Sequence, residues 1–335
     1  PGGGLSPVSA PTAIEPTSPA PSESSTEAAI EGRSLGQIAW RRLRRDKIAM
    51  GGAIVLILLI LIAIFAPLIV GWLGSPPNEP HRTLIDRKFG TMLPVGPYGG
   101  ISWEHLMGVE PGNGRDIFSR IVYGSRFSLL IAFFSTLFSV SIGSSMGIIA
   151  GFLGGWVDAF ISRLMDVFLA FPLLVFAIAL AGVMPDAAFG LKGDTLRIVM
   201  LIFIIGFFNW PYIGRIVRGQ TLSIREREFV DASVSLGARA PRILIKEILP
   251  NLVAPILVYS TLLIPTNILF EAALSYLGVG IQPPTATWGG MLSDASQYTS
   301  HLWFMFWPGL AIFITVLAFN LFGDGLRDAL DPRAR

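Results

Sequence analysis

The stretch "FVDASVSLGARAPRILIKEILPN" spans Phe229–Asn251. It carries Asp231, Arg239, Arg242, Lys246 and Glu247, with Glu226 and Glu228 just upstream, and long uncharged runs flank it. Its pattern predicts two short helices joined at a glycine. Ser223 followed by Glu226 reads as a capping box, in which the hydroxyl and the carboxylate satisfy free backbone N–H groups. Phe229, Ala232, Ser233 and Leu236 then recur at i, i+3, i+4 and i+7, one apolar face with two small residues in its middle. Gly237 follows the last turn, where a left-handed residue is favoured and a side chain would cost about 1–2 kcal/mol. Pro241 suits the first turn of the next helix, because its missing N–H is not needed there. That helix places Leu244, Ile245, Ile248 and Leu249 on one face, Arg242 with Lys246 on another, and Pro250 at the entry to the next apolar run.

The surroundings identify the solvent. Of 335 residues 52% are hydrophobic and 14% charged, against about 25% charged in soluble domains. The net charge of +2 gives no reason to expect nucleic acid. With no cysteine, disulfides and thiolate chemistry are excluded. Residues 1–35, rich in proline, serine and alanine, read as a disordered tail, and 36–47 as a basic juxtamembrane segment. A membrane-crossing helix needs about 20 apolar residues. Six uncharged windows qualify: Ile48–Asn78 (a helix over 48–73), Phe127–Val157, Val167–Pro185, Ile198–Gly214, Ile248–Phe270 and Ala295–Gly323. A seventh, Ala272–Ser293, holds too much Gly, Pro and Thr and reads as a loop with half a helix. With the amino terminus inside, 17 of the 25 Lys and Arg residues fall on the inner side, as orientation by positive charge requires. Both termini are then cytoplasmic, 74–126 is extracytoplasmic, and a core over 127–324 contains an inner loop, 219–250, before a tail at 325–335. That loop is either an amphipathic element lying on headgroups or a stiff elbow receiving force from a cytoplasmic partner. Periodicity does not separate the two.

The loop resembles the EAA loop of bacterial ABC importer permeases, E-A-A-x3-G-x9-I-x-L-P. Asp231-Ala232-Ser233 stands for the triplet, Gly237 for the glycine and Leu249-Pro250 for the ending. Asp replaces Glu, Ser replaces the second Ala, and Glu247 occupies the isoleucine position. "GRDIFSRIVYGSRFSLL" (Gly114–Leu130), "AGFLGGWVD" (Ala150–Asp158), "DVFLAFP" (Asp166–Pro172), "EAALSYLGVGIQPPTATWGGML" (Glu271–Leu292) and "WPGLAIFITVLAFNLFGDGLRDALDPR" (Trp307–Arg333) are similar to the dipeptide/oligopeptide/nickel permeases, in particular the C-type member of the heteromeric pair. The resemblance implies an all-α integral membrane protein with the type I ABC importer permease fold and six transmembrane helices, in the bacterial inner membrane. It implies import of di- or oligopeptides; nickel or another small solute is the alternative cargo, and a self-contained secondary transporter the alternative machine. The implied partners are a second permease subunit, two ATPase subunits or domains, an extracytoplasmic binding protein and the bilayer.

By the same resemblance, Asp231, Ala232, Ser233, Leu236, Gly237, Ala238, Arg239 and Pro241 form the coupling contact with an ATPase. The sequence contains no G-x-x-x-x-G-K-[ST] phosphate loop and no catalytic constellation, so ATP and Mg are expected on the partner subunits and no cofactor on this chain. Glu271, Asn209 and Asn267 are candidates for the translocation path, although Asn209, Asn267 and Asn320 equally suit bonds between helices. Arg115 and Asp116 are candidate contacts for the binding protein, or structural. Arg163 and Asp166 are expected to pair. Pro172, Pro211, Pro255 and Pro265 are expected to bend their helices. His81, His105 and His301 are far apart in sequence, so no metal site is expected.

Overall fold

In a computed structural model, residues 2–3, 35–86, 90–183, 185 and 187–330 are described. The tail predicted over 1–35 therefore lies outside them, apart from residues 2–3 and Leu35. The basic segment forms α1 (Leu35–Arg45), and Asp46 caps α2 (Lys47–Ile64), accepting from the backbone N–H of Ile48 at 2.9 Å and Ala49 at 3.1 Å. The first span is not one rod. It breaks at Phe65 and resumes as α3 (Ala66–Leu73), with Pro67 in the first turn. A loop segment with a two-stranded antiparallel pair, β1 (Ile85–Asp86) and β2 (Leu93–Pro94), follows.

The second span, α4 (Ile117–Leu153), starts ten residues before its apolar window, because Asp116 caps it by accepting from Ser119 N–H at 2.8 Å. At 1.5 Å per residue such a helix outruns the hydrocarbon layer and carries its polar first turns beyond it. The window Val167–Pro185 is a broken pair, α5 (Gly155–Ala170) and α6 (Leu173–Val183), bent by 75°. Pro172 sits in the break and forces Phe171 to φ −83°, ψ 126°, the extended region that a residue before proline prefers. Pro211, Pro255 and Pro265, by contrast, lie inside continuous helices. A small hairpin, β3 (Ala187–Ala188) with β4 (Leu191–Lys192), leads into α7 (Gly193–Arg225).

After α7 come α8 (Glu228–Ser235), α9 (Ala240–Ile243), a π turn over Leu244–Ile248 and α10 (Leu249–Tyr276). The rejected window opens on the last turn of α10, continues as a loop and enters the short α11 (Trp288–Ala295), and α12 (Trp303–Leu330) follows. α12 begins eight residues later than its window and continues through the expected tail as far as Leu330; 331–335 lie outside the described residues. Among the described residues, five helices are long and apolar enough to cross a membrane, or six if the bent pair counts as one span.

The centre of the bundle is the α4–α7 pair. Gly143, Gly147 and Gly151 recur every four residues on α4 and meet the α7 backbone directly. A Cβ on them would lie 2.5 Å from Trp210 O, 2.6 Å from Gly214 O and 2.9 Å from Arg218 O. The approach is reciprocal at Gly206 on α7, where a Cβ would fall 2.9 Å from Ser135 O, and Ser139 donates to Gly206 O at 2.8 Å. Lipid tails are as apolar as leucine, so close packing of small residues, not water exclusion, holds such a pair. α10 joins through a polar chain: Asn209 donates to Asn267, which donates to Thr136, both at 2.8 Å. α2 packs on α12, with Gly52 against the backbone at Ala318 and Phe322.

Candidate coupling elbow

α7 runs straight through Ser223, so the expected capping box does not form; α8 starts after Arg227 with no side-chain cap. The helix end is as expected. Gly237 adopts φ +77°. Its N–H bonds Val234 O at 2.9 Å and Ala238 N–H bonds Ser233 O at 3.0 Å. This pair of bonds is a Schellman closure, which satisfies the last carbonyls of the helix. Arg239 is extended at φ −75°, ψ 149°, and Pro241 sits in the first turn of α9. The turn is thus fixed by hydrogen bonds and two constrained residues.

One side of the elbow is anchored. Val230, Ile243, Ile248 and Leu252 are buried in one cluster with Ile224 and Val217 of α7, and Ala238 packs against it. The other side is open: Asp231, Ala232, Leu236, Gly237, Arg239 and Pro241 are exposed, Leu236 at 88%, and Ser233 is half-buried. The expected face of Leu244, Ile245, Ile248 and Leu249 is split: Ile248 is buried and Leu244 packs beside it, but the other two do not bury. Ile245 and Leu249 are exposed, whereas Ile243 and Ile248 are buried. The π turn adds a residue to the repeat, closed by Leu249 N–H on Leu244 O, and so shifts the phase of the face. Val230 was the missed anchor; it is the one large apolar side chain between the two acidic positions Glu228 and Asp231 that buries.

Beside the elbow, α5 is tied to α7. Arg218 holds Asp158 through both carboxylate oxygens, one contact at 2.7 Å, and Arg215 reaches Asp166 at 2.5 Å. Arg163 is only a secondary partner of Asp166, at 3.9 Å. The sequence spacing points to the i,i+3 neighbour; the tertiary partner lies 49 positions away.

Most of the other predicted residues are internal. Asn209 and Asn267 bond each other across α7 and α10, and Asn320 on α12 is exposed. Glu271 is fully buried on α10, accepting from Ser275 Oγ at 2.8 Å. Arg115 is buried against Glu110 and lies 3.6 Å from Asp294, and Arg120 reaches Glu110 at 3.0 Å. Glu110, Arg115 and Asp294, with Asn113 and Tyr298, line a cavity of about 210 Å³. Burial pushes the Glu110 carboxyl above its usual range, against the pull of Arg120 and Arg115. Asp116 is fully buried, capping α4 and bonding His105 Nδ1 at 3.0 Å. Two of the histidines that lie far apart in sequence meet in space: the His81 and His105 rings pack edge to face at 4.7 Å. Among the described residues no group of three or more His, Asp or Glu side chains is arranged to hold a metal ion.

The profile of the family described as binding-protein-dependent transport system inner membrane component matches residues 143–335, which include every span after the first two and the whole elbow. The chain belongs to this family. A second profile, the N-terminal transmembrane domain of oligopeptide transport permease C, matches residues 34–86 of this inner-membrane component. Among curated relatives, the dipeptide transport system permease protein DppC of Alkalihalophilus pseudofirmus is 40% identical over 96% of both chains. The glutathione transport system permease protein GsiD of Escherichia coli O157:H7 is 39% identical over 88% of this chain and 90% of its own. The oligopeptide transport system permease protein OppC of Haemophilus influenzae is 37% identical over 92% of each. A solved structure of the MetNI methionine ABC transporter, inward facing, matches with a TM-score of 0.52 and 20% identity, over 64% of this chain and 98% of that one. That likeness speaks for the fold alone. Like its relatives, this family member is a multi-pass inner-membrane permease.

Proposed function

We propose that the chain forms one half of the translocation pathway of an ATP-driven importer of small peptides. The relatives named for dipeptide, oligopeptide and glutathione transport support that cargo class. The second half would be a similar permease subunit. Two ATPase subunits or domains would bind ATP and Mg, since the sequence has no phosphate loop and this chain would carry no cofactor. An extracytoplasmic binding protein would deliver the peptide. Both termini and the elbow would face the cytoplasm, in keeping with the distribution of Lys and Arg.

One observation carries this reading: a hydrogen-bonded, glycine-closed elbow is anchored to the spans by Val230, Ile243 and Ile248 and leaves Ala232 and Leu236 exposed. A partner that binds one conformation better than the other can bias the spans only through a stiff contact. The test uses the absence of cysteine. Leu236→Cys, placed in the assembled complex, should form a crosslink to an ATPase subunit that changes with ATP. If the introduced thiol reacts only with lipid-soluble reagents, in every nucleotide state, the elbow lies on headgroups and the proposal fails.

A further inference from the structure

A basic helix stands at the foot of the first span. α1 ends one residue before α2, and Asp46 fills that gap as the α2 cap. α2 exposes Ile54, Ile57, Leu58 and Leu61 along its length, so its first turn marks where the hydrocarbon layer begins. α1 is therefore held at headgroup depth. It cannot swing away, because Ala39 and Leu43 are buried in a cluster with Ala49 and Ala329, packed by Phe322, Leu326 and Leu330 of α12.

The other side of α1 is exposed. Arg41, Arg44 and Arg45 lie at i, i+3 and i+4, with Trp40 (59% exposed) beside them and Lys47 just beyond. None of the three arginines makes an ion pair among the described residues. Like charges at i,i+4 oppose a helix. The helix dipole draws cations to the last turn, but it gives no reason for an exposed Trp40. The charged groups on the neighbouring elements are Asp46, which is engaged as a cap, and Asp324, Arg327 and Asp328 on α12. With Arg41, Arg42, Arg44, Arg45 and Lys47 the local balance stays positive. A cation cluster with an indole ring at headgroup depth matches an anionic leaflet, where charge and the amphipathic ring are both accommodated.

We propose that the Arg41, Arg44 and Arg45 face of α1 binds anionic phospholipid headgroups, with Ala39 and Leu43 seating the helix on α12 and Trp40 completing the contact. The proposal does not depend on the cargo or on the ATPase.

The full chain is purified in detergent with equal phosphatidylglycerol and phosphatidylcholine, and retained lipid is counted by native mass spectrometry. Phosphatidylglycerol should be enriched, and the enrichment should collapse between about 0.1 M and about 1 M salt, as screening shortens from about 10 Å to about 3 Å. Changing Arg41, Arg44 and Arg45 together to Gln should cut it by roughly fivefold or more, and changing them to Lys should preserve it. Should the glutamine variant not insert, Arg44→Gln alone and the wild-type salt series give the same reading. Equal enrichment in the glutamine variants, or enrichment that ignores salt, overturns the proposal. So does a wild type without preference.

Discussion

Asn209 on α7 donates its side-chain amide to the Asn267 carbonyl oxygen on α10 at 2.8 Å, with both residues buried. Asn267 passes the bond on to Thr136 of α4, so one amide ties together three spans. Asn267→Ala removes both bonds and leaves Asn209 without its acceptor. Interhelical bonds in bilayers average about 0.6 kcal/mol with a maximum near 1.7, and the orphaned amide adds to that. A loss of roughly 1–3 kcal/mol is expected, read from unfolding in mixed micelles. A cycle with Asn209→Ala should show coupling between the two sites; strict additivity would mean that the bond contributes nothing.

Gly147 cannot take a side chain without moving α7, since a Cβ would lie 2.6 Å from Gly214 O. Gly147→Val should cost at least about 1–3 kcal/mol and lower the yield of folded protein. Gly51 lies in α2 with nothing within 4 Å of a Cβ, and Gly51→Ala should be neutral or slightly stabilising. Similar behaviour of the two variants would contradict the close approach.

Gly237→Val places a β-branched residue at φ +77°, a local strain of about 1–2 kcal/mol. The spans do not depend on this turn, so the protein should still reach the membrane. Peptide uptake per ATP hydrolysed should fall in vesicles containing the assembled importer. Unchanged uptake would count against a rigid elbow.

Glu110 gives a pH signature. Burial raises its carboxyl above the ordinary value of 4.5 despite Arg120 and Arg115. Between that value and the raised one, the folded chain binds more protons than the unfolded chain. This contribution to stability is therefore complete below pH 4.5 and fades as pH climbs through the raised value. Relative to Glu110→Gln, the wild type should lose thermal stability over that interval. A difference between the two that does not vary with pH would refute it.

The spans were legible because a bilayer demands about 20 apolar residues whatever the sequence. Gly237 and Pro241 were legible because each has a backbone preference that few other residues share. Asp116 and Ser119 held the start signal for α4, but an apolar window passes over a polar first turn. The pairs Arg218–Asp158 and Arg215–Asp166 join residues dozens of positions apart, and no local spacing encodes them. The failed capping box at Ser223 shows the opposite error: a valid local signal was overridden because α7 is held through that point by Val217 and Ile224 in the buried cluster.

The wide turn at Leu244–Ile248 has a mechanical meaning. From Ala240 to Tyr276 the chain is one continuous 37-residue rod, about 55 Å long at 1.5 Å per residue. One surplus residue near its foot offsets everything below by about 100° of azimuth relative to an unbroken spiral. Excising a single residue there would let the spiral close up and turn the knuckle to a different compass bearing, while the rest of the shaft kept its seat. The bearing of the knuckle on this shaft is thus set by a one-residue dislocation.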